Sequence, residues 1–128
     1  MLVAALALIA ISRTPENALD GRWDLILIET PEGSFGPASG NEWIEFSGPG
    51  FRGEMACFEF NGEFVATTTG TLQLGEWGWG GSCEELDPAS QAFDRYVPEI
   101  VEYRVGPSGL TLESSDASVQ FTYEPAGG

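Results

Sequence analysis

The alternation of apolar and polar residues predicts that most of the chain is β-strand. Residues 22–29 are rich in large apolar side chains and predict a central strand. Shorter segments follow, in which apolar and polar residues alternate between turns of glycine, proline, serine and asparagine. These segments predict further strands over residues 41–46, 51–60, 63–68, 71–77, 100–105, 110–113 and 119–123.

Turn signals separate some of these strands. Residues 31–41 contain glycine and proline at turn frequency and predict a mobile loop. The Asn61-Gly62 dipeptide is the strongest short hairpin signal in the chain, and it predicts a tight turn between the strands on either side.

One segment has helical periodicity. Asp87 is placed to cap a helix whose first residue is Pro88, and Pro98 is placed to end it. Apolar residues recur between these positions at helical spacing: Ala89, Ala92, Phe93, Tyr96 and Val97. Short strands with one helix predict a mainly β (α+β) fold. We expect an antiparallel meander that forms a barrel or half-barrel, with the helix near residues 88–97 at one side or end.

The beginning of the chain predicts export. Residues 2–11 form an uninterrupted apolar run that is too short to span a bilayer but fits the hydrophobic region of a signal peptide. Ala10 and Ser12 are small residues, as a cleavage site requires; the alternative is a first buried strand or helix of the domain. We expect a periplasmic, envelope or secreted protein with this organisation: signal segment 1–12, exposed mature start 13–18, single domain 19–124 and tail 125–128.

Length and charge exclude several classes of protein. The chain has 128 residues, enough for one domain, and its 20 acidic residues against 5 arginines give a net charge of -15. An acidic surface repels nucleic acid and anionic lipids, so we expect no nucleic-acid partner and no stable membrane span after signal cleavage. Because the chain has no lysine and no histidine, catalytic triads, histidine zinc sites and P-loops are excluded.

The two cysteines predict a disulfide. Cys57 and Cys83 form an even pair, and in an exported chain such a pair can bond and stay oxidised. The bond would stabilise the fold by roughly 3 kcal/mol in the chain-entropy model. The alternative is a pair of buried, reduced thiols, and no histidine is present to lower the pKa of either thiol for catalysis.

Two tryptophans are candidates for a ligand patch. In the string Trp77-Gly78-Trp79-Gly80-Gly81, strand alternation places both indoles on one face and glycines on the other. An exposed pair would form a platform for apolar or sugar ligands. We favour the alternative, in which the indoles pack in the core and the glycines allow another element close to the backbone.

Acidic clusters predict neither catalysis nor a metal site. Three acids precede the helix, and we interpret them as favouring its N-terminal dipole rather than as calcium ligands, because their spacing matches no EF-hand loop: Glu84, Glu85 and Asp87. Calcium should therefore leave the melting temperature unchanged. Two carboxylate pairs could in principle perform acid-base catalysis of the glycosidase kind, yet we interpret both as solvated charge: Glu42 with Glu45, and Glu99 with Glu102.

Several short motifs resemble a known family. Gly21-Arg22-Trp23 resembles the Gly-x-Trp on that family's first strand, and the string from Ala56 to Phe64 keeps its Cys57, its Gly62 and the final aromatic. Phe58 stands where the family has an asparagine, and Cys83 precedes the helix as the family's second cysteine does. Over residues 19–123 the chain thus resembles the META domain of HslJ-like bacterial envelope and heat-shock proteins.

The resemblance implies a function without catalysis. META domains are mostly antiparallel β, exported or envelope-associated, often linked to stress or antibiotic tolerance, and have no established enzyme activity. We therefore expect a non-enzymatic domain without cofactors that binds an unknown envelope protein or a small apolar ligand. Gly-x-Trp also occurs in lipocalin-like barrels, so one alternative is a small-ligand carrier with a hydrophobic cavity. A distant alternative is a carboxylate-dependent hydrolase.

Overall fold

Antiparallel β-strands make up most of the computed structural model, as the alternation predicts. The structure describes residues 18–81 and 83–126, so the predicted signal segment and most of the predicted mature start lie outside the described residues. The strands of the described residues are β1 (Gly21–Thr30), β2 (Gly33–Phe35), β3 (Trp43–Ser47), β4 (Gly50–Glu54), β5 (Phe58–Ala66), β6 (Leu72–Gly81), β7 (Glu102–Gly106), β8 (Gly109–Glu113) and β9 (Gln120–Pro125).

The strands form one curled sheet in the order β6-β5-β4-β3-β1-β9-β8-β7. The short strand β2 is additional to this order and pairs with β1. The two end strands meet where β6 begins. There the backbone N–H of Leu72 donates to the carbonyl of Val101 at 2.8 Å, and that of Tyr103 donates to the carbonyl of Gly70 at 2.8 Å. This contact gives a half-barrel, with a concave face that holds the core and a convex face toward solvent. The predicted fold class is confirmed.

The predicted central strand is confirmed as β1, which lies between β3 and β9. Trp23, Leu25 and Ile28 are buried on its concave face. A register shift against β9 lies between Leu25 and Leu27, and Ile26 at this bulge is 42% exposed. The bulge accounts for an apolar run that does not alternate strictly, because an extra residue resets the inward positions.

The predicted helix is confirmed as α1 (Pro88–Tyr96), followed by a 3-10 turn, Val97–Glu99, that contains Pro98. Phe93 of α1 is buried in the core. Its ring lies 4.8 Å from that of Phe60 and 5.4 Å from that of Phe121, so α1 covers the concave face with an aromatic plug.

The single strand predicted over residues 51–60 is wrong, because two strands, β4 and β5, occupy this segment. The turn between them is closed by Met55, whose backbone N–H donates to the carbonyl of Phe58 at 2.9 Å. Ala56 in this turn is exposed. Buried positions change here from odd to even numbers, from Met55 to Phe58, and this break in the strand period marks the turn.

The hairpin predicted at Asn61-Gly62 is also wrong, because both residues lie inside β5, which continues through most of the separately predicted strand 63–68. Gly62 allows β6 and a core side chain to pack closely on the backbone of β5. A Cβ atom there would lie 2.8 Å from the carbonyl oxygen of Glu76 and 2.9 Å from the ring of Phe51. A neighbouring strand and a core ring thus require the glycine.

Two boundaries differ from the prediction. The expected loop 31–41 contains β2, which forms a hairpin with the end of β1 through the pair Thr30 and Gly33. The strand expected to end at Trp77 continues to Gly81 as part of β6. This extension of β6 carries both candidate tryptophans.

Candidate functional site

The interior of the half-barrel is filled by aromatic side chains. Phe46, Phe60, Phe93, Phe121 and Tyr123 are each at most 2% exposed. Phe46 also meets Phe64 edge to face, with ring centroids 4.9 Å apart. This packing gives the fold its stability and leaves the surface as the place to search for a site.

Trp77 and Trp79 lie on the same face of β6, as the alternation predicts, but in different environments. Trp77 is half-buried and meets Phe60 and Phe93 edge-on, each at 6.0 Å. Trp79 is 51% exposed and lies 5.1 Å from Phe58. The favoured packing interpretation therefore holds for Trp77, whereas Trp79 leaves half of its surface open to a ligand.

A bulge in β6 puts Trp77 on the concave face. The register with β5 shifts between the pairs Phe64 with Leu74 and Gly62 with Trp77. Without this shift, strand alternation from the buried Leu72 would turn the indoles outward. The change from even to odd apolar positions around Gly75 was the sequence signal for the bulge.

Residues 77–81 form what we call the free edge of β6. Their backbone pairs with β5 on one side. On the other side, β7 reaches β6 only around residues 70–72, and no other strand of the described residues continues along residues 77–81. The edge therefore presents backbone donors and acceptors that a further strand can pair with.

Two glycines leave the convex side of the free edge bare. A Cβ atom at Gly78 or Gly80 would meet no heavy atom of the described residues within 4 Å. Gly81 differs, because its Cβ would lie 2.6 Å from the carbonyl oxygen of Cys57 and its φ is +141°. Internal packing thus explains Gly81 but gives no reason for glycine at the other two positions.

Acidic residues flank the free edge on the convex face. Glu59 pairs with Gly80 across β5 and β6, and it pairs with Glu54 across β4 and β5. The three ion pairs found among the described residues involve other acids: Arg52 with Glu45 at 2.7 Å, Arg95 with Glu32 at 3.3 Å, and Arg104 with Glu113 at 2.6 Å. Glu54 and Glu59 therefore face each other as like charges, which is unfavourable.

The candidate carboxylate pair Glu42 and Glu45 is not brought together as a catalytic pair. Glu45 is bound to Arg52 on the convex face, whereas Glu42 is 2% exposed. The carboxylate of Glu42 accepts hydrogen bonds from the backbone N–H groups of Ala38 and Ser39, at 2.7 and 3.0 Å, and from the Ser39 hydroxyl at 2.9 Å. Burial would raise the pKa of Glu42, but these hydrogen bonds together lower it below its ordinary value.

Sequence reasoning missed this role of Glu42, which is to hold the loop before β3. The Ser-x-x-Glu spacing of Ser39 and Glu42, typical of capping boxes, was the available signal. In the second candidate pair, Glu99 lies in the 3-10 turn and Glu102 in β7, and both are exposed.

The acids before the helix include a helix cap. Asp87 accepts hydrogen bonds from the backbone N–H of Ser90 at 3.1 Å and from its hydroxyl at 2.6 Å, which confirms the capping role. Glu84 and Glu85 are exposed. Within residues 18–81 and 83–126, no group of three acidic or cysteine side chains is arranged to hold a metal ion.

The predicted disulfide is confirmed. Cys57 and Cys83 are bonded, with Cα atoms 5.6 Å apart, and they join the turn before β5 to the segment after β6. The bond anchors the chain next to the free edge. Such bonds persist in oxidising surroundings, which indicates a non-cytoplasmic environment.

The motif residues of the META resemblance occupy structural positions. Gly21 opens β1 with a φ of +119°, and the Trp23 indole donates to the carbonyl of Leu19 at 2.9 Å. With the packed Gly62 and the bonded cysteines, these residues hold the strands in place. Among the residues described, no helix has both the length and the apolar character to cross a membrane.

Two solved structures are similar in fold. One is an NMR structure of a protein from Burkholderia xenovorans, with a TM-score of 0.66 and 15% identity over 88% of this chain and 87% of that chain. The other is the crystal structure of a DUF4847 family protein from Bacteroides vulgatus, with a TM-score of 0.63 and 12% identity over 85% of this chain and 94% of that chain. No protein-family model and no curated protein matches the sequence. These likenesses concern the fold alone.

Proposed function

We propose that this protein is an exported, non-catalytic, META-like domain that binds a partner protein or small ligand at the surface around Trp79. The observation that carries the proposal is the half-exposed indole of Trp79 on a strand edge without a neighbouring strand in the described residues. Tryptophan is enriched among the residues that contribute most to binding, and an unpaired strand edge is a template for pairing with another chain. The resemblance to envelope proteins supports a role in the periplasm, envelope or extracellular medium, as part of a stress response.

The filled interior supports a surface site over the lipocalin-like alternative. A carrier needs room for its ligand inside the barrel, whereas here Phe93 of α1 packs between Phe60 and Phe121. The hydrolase alternative needs two facing carboxylates, one of them with a raised pKa. Glu42 instead has a lowered pKa and binds the loop before β3, whereas Glu45 binds Arg52.

Export is tested by the intact mass of the chain isolated from its own host, with thiol alkylation before and after reduction. We expect a chain that begins at Arg13 and takes up alkylating reagent at Cys57 and Cys83 only after reduction. A full-length chain with two free thiols would contradict export, and with it the envelope role.

Binding is tested by tryptophan fluorescence during titration with apolar ligands, oligosaccharides and peptides. We expect one class of ligand to change the emission, and the change to disappear in Trp79→Phe but persist in Trp43→Phe. Trp43 is a suitable control because it lies on the convex face, under the guanidinium of Arg22 at 4.0 Å. Unchanged emission with every class of ligand would count against a binding surface at Trp79.

A further inference from the structure

We propose that the free edge of β6 binds an extended, cationic segment of a partner protein, which adds to the sheet as a strand beside residues 77–81. This inference rests on the proposed function, because it names the partner class for the surface around Trp79. The segment would pair its backbone with the free edge and alternate its side chains between the two faces of the sheet.

The two outer strands of the sheet differ in protection. Natural sheets block open edges with charged residues, proline, strong bulges or covering elements. The outer strand β7 carries charged side chains at Glu102 and Arg104. The free edge has neither a charged residue nor a proline over residues 77–81, and its bulge lies before them. Of these two outer strands, β6 at its free edge is therefore the more open to strand addition.

Trp79 supplies the apolar contact on the concave face. Its indole rests on Phe58 and is 51% exposed. An added strand would direct every second side chain to the concave face. An apolar or aromatic residue opposite Trp79 would bury the exposed half of the indole.

The convex face selects the charge of the partner. A long side chain from an added strand can lie across Gly80, because no heavy atom of the described residues lies within 4 Å of the place where a Cβ atom would stand. Beyond Gly80, in the same cross-strand row, lie Glu59 and then Glu54, which face each other without an ion pair among the described residues. A lysine or arginine in this position would relieve their repulsion.

The same charges disfavour a second copy of this chain as the occupant. The net charge is -15, and Glu59 and Glu76 flank the free edge on each copy. Pairing two free edges would bring these carboxylates together, at a cost that a cationic segment avoids.

The test uses a fluorescently labelled peptide of alternating lysine and valine, titrated with the mature, disulfide-bonded protein. Two matched peptides separate the contributions: one keeps the side chains but has alternate backbone nitrogens methylated, and the other has glutamate in place of lysine. We expect binding of the first peptide, at least about tenfold weaker binding after methylation because backbone hydrogen bonds are lost, and no binding of the glutamate peptide. Equal binding of the methylated peptide would overturn strand addition, because charge alone would then explain the affinity.

Protein variants locate the site. Glu59→Gln should weaken binding of the lysine peptide by about threefold, whereas Glu124→Gln, which removes the same charge from exposed Glu124 in β9, should have little effect. Trp79→Ala should weaken binding further. Equal effects of Glu59→Gln and Glu124→Gln would contradict the site.

Amide hydrogen exchange gives the decisive readout. Bound peptide should slow exchange within residues 77–81 and leave the amides of β7 unchanged. Protection of residues 77–81 in the free protein through dimerisation would overturn the cationic partner in favour of a second copy. If a panel ligand changes Trp79 emission but the peptide protects nothing, strand addition fails and the proposed function stands; if neither responds, both fail.

Discussion

The two halves of β6 both pair with β5 and both direct apolar side chains to the concave face, yet they differ in what surrounds them. At residues 72–74 the sheet closes, since Leu72 is 1% exposed and its backbone bonds to Val101 of the segment before β7. At residues 77–81 no strand of the described chain continues this closure, and Trp79 is 51% exposed. Apolar side chains on the same face are thus buried in one half, whereas in the other half Trp79 is left partly exposed. Closure of the sheet, rather than the hydrophobicity of the residue, therefore decides whether an apolar side chain of β6 is buried.

The largest effect should come from removing the aromatic plug of the core, Phe93 of α1. Phe93→Ala should destabilise the fold by about 3–5 kcal/mol, because the ring is 1% exposed and its removal leaves a cavity. Trp79→Ala should cost clearly less, because half of the indole is already in solvent and only its contact with Phe58 and a partial burial are lost. Urea unfolding of both variants measures the contrast. Equal losses would mean that Trp79 is a core residue and that the two halves of β6 do not differ.

A smaller effect should come from Glu42, the acid whose hydrogen bonds are satisfied. Glu42→Gln should cost about 1.5–3 kcal/mol at neutral pH, because a buried carboxylate with three hydrogen bonds is lost. The folded-state pKa of Glu42 lies below its ordinary value of 4.5, so its contribution is fully present above that value. The contribution is lost as the pH falls through the folded-state pKa, and wild type and variant should converge in acid.

Urea unfolding at several values between about pH 7 and pH 3 checks this convergence. Glu124→Gln, at an exposed position of β9, is the control and should keep a nearly constant difference from wild type. A gap between wild type and Glu42→Gln that widens in acid would contradict the lowered pKa.

Substitutions of two glycines compare a closely packed backbone position with an open one, and their effects on the free energy of unfolding should have opposite signs. Gly62→Ala should destabilise by about 1–3 kcal/mol, since the new methyl group would overlap the carbonyl oxygen of Glu76 and the ring of Phe51. Gly78→Ala should stabilise by about 0.4–1 kcal/mol, because its Cβ meets nothing among the described residues and the unfolded chain loses freedom. Thermal unfolding gives both values. A destabilising Gly78→Ala would show that something covers the free edge.

The smallest effect concerns the unneutralised acids beside the free edge. Glu59→Gln should stabilise the fold by about 0.2–1 kcal/mol at low salt, because Glu54 then loses a like charge directly across the strands. The gain should shrink at high salt, where the repulsion is screened. Melting temperatures at two salt concentrations check this. A loss of stability on substitution would mean that Glu59 has a cationic neighbour in the folded chain.

The sequence predicted the helix and the disulfide well, and the strands partly. Asp87 and Pro88 start the helix through contacts within one turn, so local residues suffice to predict it. The hairpin at Asn61-Gly62 failed because a turn dipeptide and a packed glycine look alike in sequence. At the candidate site, alternation placed both tryptophans on one face, but it could not show that only Trp79 is exposed.

The sequence by itself determined the β class, the amphipathic helix and the pairing of its only two cysteines, because these depend on residue type and short spacings. The tertiary structure decided the rest. Whether Gly62 turns or packs depends on Glu76 and Phe51, and whether Glu42 is solvated or buried depends on the fold around its loop. The free edge exists because the sheet closes around Leu72 and not beyond it, and closure is settled by strands far apart in the chain.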